Sequence, residues 1–358
     1  MSSLPVLHEA AQRRAIYCAL GTAVALLGGC QAGAPTLIER IQQHVASRHL
    51  SSGDRLLEED RLEEALREFE EALRLNPKLA TAHARIGKIH RKRGDLAEAA
   101  RAFAEALRLD PFDFLACLSL GQVYQLMAEH APDRIEKLRL AIRAYQQACE
   151  LRPDQFEAFL NQGVCLHQVG ELEQAIRCYE AALRIDPQNA YALTNLGAAY
   201  DSRGNYYDAI RMYKRALELG STQAMVLVNL GTTYIKQNRL DAAVETFRRA
   251  AKVDPRLSAA HQWIGFCQYR SGRYDESLAS YGKALQLDPK NAEAHAGRGI
   301  VFMAMYLRSG RQPELRDLAL EHWHRSLELD SNQPRLQALL AKYGGRRGDQ
   351  SANAVLSP

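Results

Sequence analysis

The sequence predicts an all-α solenoid, a stack of repeated helical units, and three observations point to it. Three pairs of prolines are each separated by 34 residues: Pro77 and Pro111, Pro153 and Pro187, Pro255 and Pro289. A glycine recurs at a matching place in every period, and Ala, Leu, Arg and Glu, which are good helix formers, dominate between these marks. A fixed period of this size is typical of units that stack side by side without one central core.

Counting each proline as position 32 divides residues 46–333 into eight repeats. They span 46–79, 80–113, 114–155, 156–189, 190–223, 224–257, 258–291 and 292–333. The third and eighth repeats carry eight extra residues between their two halves, and Pro132 and Pro313 suit the first turn of a lengthened second helix. Ser221 and Ser331 replace the proline in repeats five and eight. We expect residues 31–45 to form a linker or leading helix, 334–343 a capping helix and 344–358 a disordered tail.

Small and aromatic residues keep fixed positions in these repeats. Position 8 is glycine throughout: Gly53, Gly87, Gly121, Gly163, Gly197, Gly231, Gly265 and Gly299. Position 24 is always aromatic: Phe69, Phe103, Tyr145, Tyr179, Tyr213, Phe247, Tyr281 and Trp323. We expect the glycine to allow close approach of two helices, and the aromatic ring to fill the space between one repeat and the next.

This pattern resembles the tetratricopeptide repeat family, in which W-x2-L-G-x2-Y, A-x3-F and a proline mark a helix–turn–helix. The resemblance covers residues 46–333 and implies a right-handed superhelical solenoid. It also implies a protein-interaction scaffold, in which the first helix of each repeat, helix A, lines a concave groove with positions 2, 5, 6, 9, 12 and 13. We expect an extended segment of a protein or peptide partner to bind there.

Three repeats in a row place asparagine at position 6 of this groove: Asn161, Asn195 and Asn229. Side-chain amides can pair with the backbone of an extended peptide, as in the asparagine ladder that such repeats form in some glycosyltransferases. Tyr191 and Thr194 occupy positions 2 and 5 beside the row. The alternative is that asparagine is simply common at this position of the repeat.

Two other clusters are candidate contact sites. Repeat two carries a basic patch, Arg85, Lys88, Arg91 and Lys92, which suits an acidic peptide, a carboxylate or a phosphate. The alternative is pairing within the chain, with Asp54, Glu58, Glu59 and Asp60 of repeat one. Repeat seven carries an aromatic stripe, Trp263, Phe266 and Tyr269, which either anchors a partner or packs against repeat eight.

Residues 1–30 have the pattern of an export leader. Arg13 and Arg14 precede an apolar run over residues 15–27, which is too short to span a membrane. The run ends in Gly28-Gly29-Cys30, which resembles the bacterial lipoprotein box. This predicts a lipid on Cys30 and a place in the cell envelope, with the outer membrane favoured because Gln31 follows. Five further cysteines in the repeats favour the alternative, a cytoplasmic protein whose N-terminus is not processed.

The sequence has no signature of an enzyme, cofactor site or metal site. There is no glycine-rich phosphate loop, no H-E-x-x-H and no paired C-x-x-C, and His322 and His324 point apart on a helix. A net charge of +4 is too small to favour nucleic acid. The function expected is therefore a lipid-anchored interaction scaffold. A cytoplasmic adaptor and the recognition arm of an enzyme complex, such as a glycosyltransferase, are the alternatives, and the partner and oligomeric state stay open.

Overall fold

The structure, a computed structural model, describes residues 36–220 and 224–345. In these ranges the chain is all-α, with seventeen helices and no strand. In chain order the helices are α1 (Leu37–Glu58), α2 (Leu62–Leu75), α3 (Ala80–Arg93), α4 (Leu96–Leu109), α5 (Phe114–Ala128), α6 (Arg134–Leu151), α7 (Phe156–Gln168), α8 (Leu172–Ile185), α9 (Ala190–Ser202), α10 (Tyr206–Glu218), α11 (Ala224–Lys236), α12 (Leu240–Val253), α13 (Ser258–Arg270), α14 (Tyr274–Leu287), α15 (Ala292–Arg308), α16 (Pro313–Leu329) and α17 (Pro334–Tyr343). The prediction of an all-α repeat fold is confirmed.

The first sixteen helices form eight pairs, each of a helix A and a helix B packed together. The pairs belong to two compact units, one ending at Arg152 and one beginning at Pro153. The first unit holds three pairs, and the second holds five pairs together with α17. Within each unit helix B contacts the next helix A, and neighbouring A helices also contact each other. The A helices of one unit therefore lie side by side, which places equivalent positions in rows.

The glycine at position 8 is explained by one recurring contact. In all eight repeats, a methyl group built on this glycine would lie within about 3 Å of the position-24 aromatic ring of the same repeat. The distance is 2.6 Å for Gly53 and Phe69, and 2.5 Å for Gly299 and Trp323. The ring thus occupies the place of the missing Cβ. Tyr281 also contacts Gly297 of the next repeat, so the aromatic residue joins two repeats as well.

The turn from helix A to helix B needs a left-handed residue in the repeats of ordinary length. Gly94 has φ 86°, and Asn238 takes the same position in repeat six with φ 56°. A residue with this φ is strained unless it is glycine or a short polar side chain. The chain reversal is therefore encoded locally, at the same position of each short repeat.

Helices also form at both ends of the described chain and in the two long repeats, where one prediction needs correction. Helix α1 begins at Leu37, so residues before the first repeat extend its helix A, and α17 packs on α16 at the end of the second unit. Pro313 starts α16, as predicted. Pro132 does not lie in a helix, because α6 begins two residues later at Arg134. The extra residues lengthen α6 to 18 residues and the turn before it. The predicted place of Pro132 in the first turn is wrong.

The leader with Cys30 and the tail beyond Gly345 lie outside the described residues, as does Ser221. Across residues 36–220 and 224–345, every helix is too short or too polar to cross a lipid bilayer. Cys117, Cys165 and Cys267 are buried in the helix pairs, and burial raises the pKa of the Cys165 and Cys267 thiols to about 12. These buried thiols act as small apolar side chains.

The glycine–aromatic contact leads to a test with a matched control. Gly231→Ala places a methyl group against the Phe247 ring, so we expect the free energy of unfolding to fall by about 1–3 kcal/mol. Gly282→Ala adds a methyl group to α14 where nothing lies within 4 Å, and the higher helix propensity of alanine raises stability by about 0.5–1 kcal/mol. Urea unfolding followed by circular dichroism measures both. Equal effects of the two substitutions would contradict the packing explanation.

Candidate functional site

The asparagine row lies on three A helices that contact one another in sequence, α7, α9 and α11. Asn161, Asn195 and Asn229 are each half-buried at the same position of their helices. The amide nitrogen of Asn195 is buried and has no hydrogen-bond acceptor in the described part of the chain. The fold therefore leaves the hydrogen-bonding capacity of the Asn195 amide partly unused.

Large apolar side chains flank this row. Tyr191 and Met225 occupy position 2 of α9 and α11, and each is 57% exposed. Thr194 is less available than expected, because its hydroxyl donates to the backbone oxygen of Ala190 at 2.8 Å. The face made by repeats four to six thus combines half-buried amides with exposed apolar edges.

Polar side chains connect neighbouring A helices near their C-terminal ends, at one edge of the same face. The Asp201 carboxylate accepts hydrogen bonds from the Thr233 hydroxyl at 2.9 Å and from the Lys236 ammonium. The Nε2 of His167 lies 3.0 Å from the Ser202 hydroxyl, and burial lowers the pKa of His167. The charges of Asp201 and Lys236 are therefore paired with each other at this edge.

The basic patch of repeat two is largely paired within the first unit. Arg85 forms an ion pair with Asp54 at 2.6 Å, and Lys92 forms one with Asp60 at 2.8 Å. Arg91 donates to the side-chain amide oxygen of Gln122, and Lys88 is exposed. Arg85 and Lys92 therefore meet the acidic residues of repeat one, as the intramolecular alternative expects.

The aromatic stripe of repeat seven has two different sides. The Trp263 ring stacks on Phe247 of helix α12, with centroids 6.1 Å apart and planes inclined by 12°. Phe266 meets the Trp263 ring edge-on at 5.8 Å. Trp263, Phe266 and Tyr269 also line a cavity of about 270 Å³ with residues of α15. Trp263 thus packs against repeat six, whereas Phe266 and Tyr269 pack against a core cluster that includes Ala294 and Val301 of repeat eight. The stripe therefore packs on both neighbouring repeats and also borders an open space.

The histidines of α16 take separate places. The Nδ1 of His322 lies 3.0 Å from the Nδ1 of His295 on α15, and its ring stacks on Phe302 at 5.7 Å. His324 is exposed on the same helix. Residues 36–220 and 224–345 contain no group of three or more His, Cys, Asp or Glu side chains that could hold a metal ion. The His295–His322 contact was not predicted, since it joins the two helices of repeat eight.

Sequence reasoning also missed the cavity beside repeat seven. Its wall on α15 includes Glu293, Ala296, Gly297 and Ile300. Gly297 occupies position 6, where repeats four to six carry asparagine and repeat seven carries Trp263. This break in the row of large side chains is the signal in the sequence that could have revealed it.

Comparisons with known proteins agree with this architecture. Family models described as TPR repeat and tetratricopeptide repeat match residues 50–114, 163–201, 190–256 and 268–305. No curated protein matches the chain in sequence.

Solved structures show the same fold. A tetratricopeptide repeat protein from Parabacteroides merdae has 17% sequence identity and a TM-score of 0.56, covering 74% of this chain and 99% of that chain. The C-terminal part of a TPR repeat-containing protein from Cytophaga hutchinsonii has 17% identity and a TM-score of 0.56, with coverage of 71% and 98%. The hetero-tetramer Cut9–Hcn1 of the APC/C has 18% identity and a TM-score of 0.51, with coverage of 86% and 59%.

The His295–His322 contact makes a prediction about pH. Burial, Arg298 and His295 lower the pKa of His322 from 6.5 to about 4, and burial together with Arg325 and Arg298 lowers that of His295. Between pH 6.5 and 4 the unfolded chain therefore binds protons that the folded chain does not. We expect the free energy of unfolding to be fully maintained above pH 6.5 and to fall as the pH drops through this window.

Urea titrations at several pH values measure this dependence. His322→Gln removes one of the two titrating groups, so its unfolding free energy should change less between pH 6.5 and 4 than that of the unmodified chain. His324→Gln removes an exposed histidine of the same helix and serves as the control. An unchanged slope for His322→Gln would contradict the assignment.

Proposed function

Because the chain belongs to the tetratricopeptide repeat family, and is a protein-interaction scaffold of that family, we propose that repeats four to six bind an extended segment of a partner protein. The binding surface is the row Asn161, Asn195 and Asn229 with its flanking side chains Tyr191 and Met225. We call this surface the asparagine face.

The observation that carries the proposal is the buried amide nitrogen of Asn195, which has no acceptor among the described residues. A buried N–H group without a partner costs free energy, about 1–3 kcal/mol in measured cases. Rotation of the half-buried Asn195 side chain would bring this N–H group to the surface, where a backbone carbonyl of a bound peptide would accept the hydrogen bond. Asn161 and Asn229, at the same position of the neighbouring helices, extend the same donor and acceptor groups along the face.

The spacing of the row suits an extended chain. Packed helices lie about 8–10 Å apart, and an extended peptide advances about 3.3 Å per residue. One repeat therefore corresponds to about three peptide residues, and the three asparagines span about five to six. Tyr191 and Met225 lie at the edge of this row with 57% of each exposed, so they offer apolar contacts to the side chains of the same segment.

The same proposal includes a lipid anchor at Cys30. Its support is the sequence alone: a basic flank, an apolar run over residues 15–27 and the motif Leu27-Gly28-Gly29-Cys30. An acyl chain on this cysteine, with a second lipid, would hold the repeats at a membrane surface. The location that follows is a bacterial cell envelope, with the outer membrane favoured.

The asparagine face is tested by changing Asn161, Asn195 and Asn229 together to Ala. Peptides are first selected on the unmodified chain from a random 12-residue library, and their dissociation constants are measured by fluorescence anisotropy. Each lost hydrogen bond weakens binding by about 0.5–1.5 kcal/mol, so we expect the triple variant to bind at least about ten-fold more weakly. Circular dichroism should be unchanged, because the Asn195 amide nitrogen makes no hydrogen bond within the described fold.

The matched control changes three exposed side chains of B helices, Lys214, Arg249 and Gln286, to Ala. This variant should bind the selected peptides like the unmodified chain. Unchanged affinity of the triple asparagine variant would remove the asparagine face from the proposal.

The anchor is tested in the native host with radiolabelled palmitate. We expect the label on the unmodified chain and a mature N-terminus at Cys30, since the thiol is the acylated group. Cys30→Ala should abolish the label, whereas Cys18→Ala, within the leader, should keep it. An unprocessed N-terminus beginning near Met1 would instead support the cytoplasmic alternative.

A further inference from the structure

The cavity between repeats seven and eight has aromatic walls. Trp263, Phe266 and Tyr269 of α13 border it, together with Tyr281 of α14. Its volume of about 270 Å³ is large enough for one long side chain. It lies on the row of A helices that also forms the asparagine face, one repeat beyond Asn229.

Gly297 is the reason that this space exists. It occupies position 6 of α15, where α13 carries Trp263. A Cβ at Gly297 would lie 2.5 Å from the hydroxyl oxygen of Tyr281, so this ring extends across the place that a side chain would fill. Ala296 and Ile300 complete the wall of the cavity on α15.

The cavity has one charged group on its wall, the exposed Glu293 at position 2 of α15. In the described part of the chain, no lysine, arginine or histidine forms an ion pair with this carboxylate. Gln262 and Gln333 also line the cavity, but their side chains are engaged with Asn291 and Ser326. A ligand in the cavity therefore meets aromatic faces and one carboxylate that lacks a counter-charge.

We propose that this cavity binds an arginine or lysine side chain of the partner segment, an inference that rests on the proposed binding of an extended peptide. The methylene stem of such a side chain covers the ring faces, and its charged end pairs with Glu293. Aromatic faces also attract cations directly. Phe266 already has such a cation–π contact within the chain, because the guanidinium of Arg270 lies 5.9 Å from its ring centroid.

A purely apolar side chain fits the cavity less well. It would contact the rings equally, but it would displace water from Glu293 without offering a hydrogen bond or a positive charge. Electrostatic complementarity of this kind selects one partner over another. The cavity thus favours segments with a basic residue near the part held by the asparagine face.

The test uses short probes that reach the cavity and not the asparagine face. Acetyl-Gly-Arg-Gly-amide and its norleucine analogue are titrated into the full chain to about 20 mM, since a single side chain binds with millimolar affinity at best. The readout is the indole N–H signal of Trp263 in a nuclear magnetic resonance spectrum. Trp323, the other tryptophan of the sequence, is fully buried and serves as an internal reference.

We expect the arginine probe to shift the Trp263 signal in a saturable way and the norleucine probe to bind at least three-fold more weakly. Glu293→Gln should weaken the arginine probe by about three- to five-fold, because an exposed ion pair contributes about 0.2–1 kcal/mol. The matched control is Glu157→Gln, which changes an exposed glutamate at the same position of repeat four. Ala296→Phe, which fills the cavity, should abolish the shift while the Trp323 signal stays in place.

Equal binding of the two probes, an unchanged affinity in Glu293→Gln, or no saturable shift would overturn the proposal. If one of these results is found while selected peptides still bind at Asn161, Asn195 and Asn229, the cavity proposal fails and the proposed function stands. A normal arginine response in a chain that selects no longer peptide would support the cavity and count against the asparagine face.

Discussion

The contact between the position-8 glycine and the position-24 aromatic ring is the constraint on which the rest of the structure depends. It recurs in all eight repeats. A Cβ placed on Gly121 would lie 2.6 Å from the ring of Tyr145, and one placed on Gly163 would lie 2.7 Å from the ring of Tyr179. Positions 6 and 8 of a helix point about 200° apart. Burying position 8 against helix B therefore turns position 6 away from it. The side of α9 on which Asn195 lies is thus a consequence of how Gly197 is packed.

The same geometry explains why charge plays a small part on this face. Neighbouring A helices are close enough for Arg85 to reach Asp54 in the first unit and for Lys236 to reach Asp201 in the second. Arg85, Asp54 and Lys236 are each about 40% exposed, so water screens these pairs and each stabilises the fold only modestly. Their larger effect is to leave few free charges for a partner. Glu293 differs from these residues, because its carboxylate forms no ion pair in the described part of the chain.

Function in such a chain is expected where one repeat departs from the others. Asn195 fits the repeat, but its buried amide nitrogen lacks an acceptor among the described residues, and Trp263 and Gly297 replace the asparagine found in earlier repeats. The departures act together, because the large ring on α13 and the missing side chain on α15 form opposite walls of one cavity. A stack of equivalent units thus acquires a distinct site by two substitutions at one position.

The sequence by itself determined the helical repeats, the turns at Gly94 and its equivalents, and the rows of buried glycines and aromatic rings. These features depend on residues close in the chain and recur with a fixed period. The sequence also placed Asn161, Asn195 and Asn229 in one row. Only the tertiary structure decided that Arg85 is paired, that His295 meets His322 and that Trp263 borders a cavity. Those outcomes depend on which side chains from different helices meet, and on how much space each leaves, which a periodic pattern does not encode.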